Sequence, residues 1–349
     1  MKSIFENKTI LVTGACGTVG SELTRQLLTV PEYAPAELVG IDNNESQVFF
    51  QDQQYIKDER ANFFVADIRD RDELDRKMAG VDLVFHCAAL KHVILCERSP
   101  EQAVQTNILG IQNVIAAAQK NDVERVIFTS SDKAVNPTNV MGTSKLMGER
   151  LMTAANNSKR GGESVFASTR FGNVLGSNGS VIPIFHNQIA KGGPVTLTHR
   201  DMTRFVMSIE ESVRLVVDSA VLARGGEVFI TKMPVVRIKD LAMAMIEELA
   251  PRYRHTPENI EMIEIGSKPG EKLYEELMNT EETRRALELE NYFSVLPAFR
   301  GAYDDIQYDY PKIVNSVVTN PYISANERPL SVVGIRDLLK EYKLVGGSD

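Results

Sequence analysis

The residue types in this chain that can do chemistry together are concentrated in one stretch, Thr129-Ser130-Ser131-Asp132-Lys133-Ala134, followed by Met141-Gly142-Thr143-Ser144-Lys145. A carboxyl next to an amine can divide proton transfer between them, one giving and the other taking, when burial and mutual charge adjust their pKa values. The hydroxyls of Thr129 and Ser131 can hold a polar substrate beside that pair. Met141 and Lys145 are four residues apart and share one face if the segment is helical. Lys145 supplies a cation there. Met141 supplies no proton, because a thioether holds none, and by residue type alone it is gap-filling core.

Such a site needs a rigid frame, and alternating apolar runs and helical periodicity provide one. Residues 8–13 form a short, continuous, β-rich run of the kind buried on both faces of a parallel sheet. Gly14-Ala15-Cys16-Gly17-Thr18-Val19-Gly20 follows directly, and helical periodicity begins at Ser21. Strand, glycine loop, helix is the order a dinucleotide-binding loop requires: glycines allow a tight turn and close approach, and free N–H groups at the helix start meet the pyrophosphate. The next strand, Glu37–Ile41, ends on Asp42, placed to accept hydrogen bonds from an adenosine ribose. No Arg or Lys follows in Asn43-Asn44-Glu45-Ser46, which favours NAD over NADP. The alternative for Asp42 is capping of the following helix.

Further strands are expected at 62–66, ending near Asp67 and Ile68, at 81–86, leading into Ala88-Ala89-Leu90-Lys91, at 125–129 and at 163–170. Small residues at 88 and 89 let the chain pass close to a flat ring. Helices are expected over 100–118, which contains Asn107, and over 141–158. Beyond the Gly/Ser-rich loop 175–180 the pattern is mixed. It predicts short strands at 195–198 and 227–231, helices near 209–223 and 237–249, a helix opening at Lys268 and running through Met278, and a last helix at 333–342. The fold class is therefore α/β: a Rossmann-type doubly wound parallel sheet over about 1–175, to which later segments return, with a smaller mixed α/β substrate domain and tail over 176–349.

The bulk numbers exclude more than they assign. With 349 residues, 43% apolar and 25% charged, the chain can bury a sizeable core. A net charge of −8 offers no general basic surface, so nucleic acid is not an expected partner, and no run reaches membrane-spanning length. The three cysteines lack paired or metal-ligand spacing, which suits a reducing cytoplasm and predicts no metal site; Cys16 and Cys87 are expected to be buried packing residues. No leader with a cleavage site is read at the N-terminus. His86 and His92 read as packed or capping rather than catalytic.

On these residues the chain resembles the extended short-chain dehydrogenase/reductase superfamily, and within it the nucleotide-sugar 4,6-dehydratases acting on N-acetylglucosamine. The matching motifs are the loop 13–20, Ala88-Ala89, Asn107, Ser130-Ser131-Asp132-Lys133-Ala134-Val135-Asn136-Pro137, Lys145, Arg170-Phe171-Gly172-Asn173-Val174, Met202-Thr203-Arg204-Phe205 and Lys268-Pro269-Gly270-Glu271-Lys272-Leu273. One departure is Met141, where the superfamily normally has an acid–base Tyr. A subset of these dehydratases that retains configuration at C5 of the sugar is similar in having Met there.

The resemblance implies NAD-dependent oxidation at C4, loss of water across C5 and C6, and return of the hydrogen to C6, giving a 4-keto-6-deoxy sugar with no net redox change. It assigns Lys133 as the C5 base, Asp132 as the acid at C6, Lys145 to the nicotinamide ribose, and Asn43, Asp67, Ile68, Ala88, Ala89, Lys91 and Asn107, with the loop 14–20 and Asp42, to the cofactor. It gives Thr129 or Ser131 to the sugar hydroxyls and Lys91, Asn173, Val181, Arg204, Glu271 and Lys272 to the rest of the substrate. Neutral Lys133 with protonated Asp132 is one consistent starting state. The implied substrate is a UDP-linked N-acetylglucosamine, with a guanosine-linked sugar still open, in polysaccharide or glycan biosynthesis; the implied assembly is a homodimer or higher homo-oligomer, pairing helices 100–118 and 141–158. The alternatives are a C4 epimerase of the same superfamily and a catalytically silent NAD-binding regulator.

Overall fold

The computed structural model describes residues 4–157, 164–177, 180–266, 270–298 and 306–345. Strands β1 (Thr9–Thr13), β2 (Glu37–Asp42), β3 (Ala61–Val65), β4 (Leu83–His86), β5 (Arg125–Ser131) and β6 (Val165–Phe171) lie in the spatial order β3-β2-β1-β4-β5-β6, all parallel. The sheet continues with Val228–Thr231, parallel to β6, then with the antiparallel strands Tyr292–Val295, Ala286–Leu289 and Ile313–Asn315.

Both faces of the sheet are covered, and β1 shows it residue by residue. Ile10 and Val12 join a core with Leu23 and Leu27 of the helix Thr18–Thr29 and Val213 and Val217 of the helix Ile209–Leu222. Leu11, pointing the other way, joins Leu74, Ile111, Val114 and Met152 from the helices on the opposite face. That period of two is why the run reads as continuously apolar. A separate core forms where Phe185 and Ile189 of the helix Val181–Ala190 meet Leu241 and Met245 of Ile238–Leu249 and Ile335 and Leu339 of Val332–Glu341. Among the described residues no helix is long and apolar enough to cross a membrane.

Two expected helices differ in the structure. The one over 100–118 is a helical turn at Pro100–Ala103, a π-helical turn at Val104–Leu109 and a regular helix from Gly110 to Lys120. The helix expected from Lys268 to Met278 is absent over its described part: Gly270 has φ +77°, incompatible with continuing a right-handed helix, and Glu276–Met278 is a strand paired with Tyr322–Ile323. Leu277 and Met278 are fully buried there, so tertiary packing decides the conformation. Lys268 itself, Ser158 and Glu163 lie outside the described residues.

The end of β6 is bolted to its surroundings by one buried cation. The Arg170 guanidinium donates to both oxygens of Glu149, on the helix Val140–Asn157, and to both oxygens of Glu282, at 2.7–2.9 Å, and also to the Leu277 carbonyl. Ser130, on β5, donates to Glu149 at 2.6 Å, so the strand that carries the Asp–Lys pair is tied to the same network. Removing Glu149 leaves the Arg170 Nε and the Ser130 hydroxyl buried without this acceptor, although Glu282 still faces the guanidinium. Glu149→Ala should therefore lower unfolding free energy by about 2–4 kcal/mol in urea titration at an unchanged slope, and a loss under ~1 kcal/mol would show that the network does not hold this junction.

Candidate active site

The sheet reverses its strand order between β1 and β4, and ligands of such sheets sit beyond the strand ends at that point. The glycine loop fills the position. A Cβ on Gly14, at φ +67°, would come within 2.7 Å of the Ala88 backbone, and one on Gly20 within 2.1 Å of the Gly14 carbonyl oxygen. Only glycine fits at either place. Gly17 starts the helix Thr18–Thr29 without a side-chain cap, so the first N–H groups are directed to whatever occupies the crevice. The Asp42 carboxylate accepts from the backbone N–H of Cys16 and of Asn44, which holds it against the loop. Asn44, not Asp42, caps the following helix. Asn43 meets Asp67, which also pairs with Arg69, while Ile68 is buried. These residues fit a dinucleotide.

Beside this crevice the end of β5 turns through Asp132–Ala134 into a cavity of about 550 Å³. Asp132, Lys133, Asn173, Arg204, Glu271 and Lys272 all line it. The Lys133 ammonium lies 3.0 Å and 3.1 Å from the two Asp132 oxygens, and the Ser131 hydroxyl donates to Asp132. Burial pushes the Asp132 carboxyl up, but the Lys133 charge and the Ser131 bond outweigh it and hold the group below its ordinary range. For Lys133 burial acts downward, and the charges of Asp132 and Glu275 carry the net shift upward. At rest the pair is thus carboxylate and ammonium. This differs from the neutral-amine starting state suggested by the sequence, because the mutual attraction of Lys133 and Asp132 outweighs their burial; a second carboxyl also stands beside the pair.

That second carboxyl, Glu275, is absent from the sequence reading. It is 6% exposed, and its oxygens accept from the Asn173 amide at 2.7 Å and 2.8 Å and from the Phe205 N–H at 3.3 Å, with the Arg204 Nε at 3.2 Å and the Lys133 ammonium at 3.8 Å. Burial, and then the charge of Asp132, raise its pKa to about 7. The only signal in the sequence was a Glu near the Gly270-Glu271-Lys272 motif, and reading that segment as a helix hid it.

Several expected contacts take other forms. The Thr129 hydroxyl donates to the His86 carbonyl, and the Thr129 carbonyl receives the Lys145 ammonium at 2.8 Å; burial brings the Lys145 pKa down to about 8. Asn107, in the π-helical turn, is fully engaged in clamping the loop before Lys91: it accepts from the Leu90 N–H and donates to the Leu90 carbonyl and the Ser144 hydroxyl. Both amide hydrogens of Asn107 are spent there rather than on a cofactor. Met141 is buried against Cys96 and Ala103 and does not line the cavity, so its place is packing, not chemistry. Val181 packs against the core of the helices beyond 176, and neither it nor the exposed Lys91 lines the cavity. Arg204 is directed at Glu275 and the Lys272 carbonyl, while Lys272 donates to the Val135 carbonyl. Cys16 and Cys87 are half-buried, where full burial was expected. His86 is buried and bonded to Thr13. Among the described residues no cluster of His, Cys, Asp and Glu could hold a metal ion.

A family model described as "Polysaccharide biosynthesis protein" matches residues 10–297. The chain belongs to that family. Over 297 residues it is 51% identical to an uncharacterized membrane protein of Methanocaldococcus jannaschii, covering 85% of this chain and 88% of the relative. A UDP-N-acetylglucosamine 4,6-dehydratase (inverting) of Campylobacter jejuni is 37% identical over 85% of each chain. A UDP-glucose 4-epimerase of Rickettsia canadensis is 35% identical over 96% of each. Among solved structures, Pen from Bacillus thuringiensis superimposes with a TM-score of 0.89 at 39% identity, over 98% of this chain and 99% of that one.

The Asn107 clamp has a direct consequence. Asn107→Ala should cost about 1–3 kcal/mol, the penalty for unpaired buried polar groups, and should abolish slow hydrogen exchange at the Leu90 amide. An unchanged Leu90 exchange rate would contradict the clamp.

Proposed function

We propose that the protein is an NAD-dependent nucleotide-sugar 4,6-dehydratase acting on UDP-N-acetylglucosamine with retention at C5. The observation that carries this reading is the Asp132–Lys133 pair facing a cavity beside a dinucleotide-type crevice, with no Tyr at position 141 to serve as the usual acid–base group. NAD, held by the loop 14–20 with Asp42 at the ribose, would accept the hydrogen of C4 and give it back at C6.

The chain's own residues supply the proton steps. Lys133, as amine, takes the proton of C5, whose acidity the neighbouring ketone creates. Asp132, as acid, protonates the C6 oxygen so that it leaves as water. With the Thr129 hydroxyl committed to His86, Ser131 is the hydroxyl nearest the pair. Asn173, Arg204, Glu271 and Lys272 form the far wall, where an amide and a diphosphate would lie. Lys145, anchored on the Thr129 carbonyl, would hold the nicotinamide ribose at the end of β5. Exposed Val104, Leu109 and Met147 on the helices flanking the site support self-association as a homo-oligomer, which a monomer in sedimentation would disprove.

The rival is C4 epimerisation, favoured by the 35% identity to a protein of that name. An epimerase needs no acid for a leaving hydroxyl, so it gives no role to Asp132 beside Lys133. Incubation with UDP-N-acetylglucosamine in D₂O, followed by NMR, should give the 4-keto-6-deoxy product with deuterium at C5 in the original configuration. A galacto product would establish the epimerase, and unchanged substrate a silent NAD-binding protein. Asp132→Asn should reduce turnover at least ~100-fold, the scale of losing a general acid, with dinucleotide binding kept. Met141→Leu, which conserves volume, should keep most of the turnover, and a loss matching Asp132→Asn would place the thioether in the chemistry.

A further inference from the structure

Asp132 must carry a proton to act as an acid, yet it lies against the Lys133 ammonium, which favours its ionised form. The structure holds a third group that changes this count. The Lys133 ammonium lies 3.0 Å from Asp132 and 3.8 Å from Glu275, so two buried carboxyls crowd one ammonium, and like charges that close favour a proton on one of them. Glu275 is also fixed in place. Its backbone N–H donates to the buried Ser324 hydroxyl at 2.9 Å, Asn173 and the Phe205 N–H hold its oxygens, and Ser324 is itself bonded to Thr203.

We propose that Glu275 is a positioning residue that holds one proton against Asp132, so that a single negative charge faces Lys133 and the pair can exchange its own proton. This rests on the dehydratase reading. At rest the three groups are Lys133 ammonium, Asp132 carboxylate and Glu275 acid. Transfer of one proton from Lys133 to Asp132 gives amine, acid and acid, with nothing gained from or lost to solvent. Lys133 then takes the C5 proton while Asp132 gives its proton to the departing C6 oxygen. The amine and acid become ammonium and carboxylate again, and water leaves. When hydrogen returns to C6, Lys133 gives a proton back to C5, and the amine left behind takes from solvent a proton equivalent to the one the C4 hydroxyl released to solvent at oxidation, which restores the resting count. If Glu275 were ionised, two carboxylates would hold Lys133 as ammonium and no base would be available.

The charged groups facing Glu275 are Asp132 and Lys133 from the turn after β5 and Arg204 from the strand Thr203–Met207; Glu271 reaches it only through Arg204, at 3.7 Å. Arg204 favours the ionised form, so the proton on Glu275 is held by burial and by Asp132.

Glu275→Gln keeps the shape and is uncharged at every pH. In the intact protein with NAD, wild-type kcat/KM for UDP-N-acetylglucosamine should fall about tenfold per pH unit above about 7, and the variant should stay within about threefold of wild type at pH 6 without that fall. The same alkaline fall in the variant, or a loss equal at all pH values, would overturn the proposal. A readout independent of turnover is the thermal midpoint against pH. The folded pKa is raised above the ordinary 4.5, so stability from protonated Glu275 is present below 4.5 and lost as pH rises to about 7. The wild-type midpoint should fall relative to Glu275→Gln across that window. Parallel curves would reject the shared proton. The expected divergence with an inactive wild type would instead reject the dehydratase reading alone.

Discussion

Two carboxyls and one ammonium held together out of water set the terms for the rest of this molecule. At ~4 Å and an effective dielectric constant of ~20, two like charges repel by about 4 kcal/mol, equivalent to roughly three pKa units, so beside the Asp132 carboxylate Glu275 keeps its proton up to about pH 7. The fold must supply one proton and enough donors to make this arrangement cheaper than unfolding. It does so from four distant parts of the sequence: Ser131 beside Asp132, Asn173 after β6, Arg204 and the Phe205 N–H on one strand, and Ser324 under the Glu275 backbone. The cluster therefore exists only when the sheet and the segments beyond 176 are closed on each other.

The same constraint explains the neighbouring buried network. Arg170 is one β6 residue pairing away from the strand end that carries Asp132 and Lys133, since Ser130 and Arg170 are cross-strand partners, and its two glutamates fix both the helix that carries Lys145 and the segment after Met278. Arg170 is balanced by two carboxylates and Lys133 by one carboxylate and one acid. The first is a permanent clamp and the second can exchange a proton. Charge count, more than residue type, separates structural from chemical function at this sheet edge.

The sequence made the parallel sheet legible because β1, β2, β4 and β5 are continuous apolar runs, and the glycine loop lies where strand meets helix. Asp132, Lys133, Asn173, Arg204, Glu271 and Lys272 were recoverable as one site because motifs around each were recognisable, and they do line one cavity. Glu275 was not, since its role depends on burial and on Asp132, 143 positions away in the chain (275 − 132), and neither leaves a local pattern. Asn107 shows a similar limit: an amide near a cofactor loop can touch the cofactor or hold the loop, and local sequence does not reveal the Leu90 and Ser144 contacts it makes. The helix expected over 268–278 failed over its described part because the positive φ of Gly270 and the buried pairing of Met278 with Tyr322 overrode local periodicity. Met141 reads in the sequence as a hole in the chemistry, and in the structure it is a packed core residue.

The proton shared by Asp132 and Glu275 can be observed without substrate. Carbon-13 carboxyl NMR of the purified protein, titrated from acid to alkaline pH and compared with Glu275→Gln for assignment, reads each carboxyl directly. The account predicts one carboxyl that titrates near 7 and vanishes from the variant. Titration of every carboxyl below about 5, as for ordinary Asp and Glu, would contradict it.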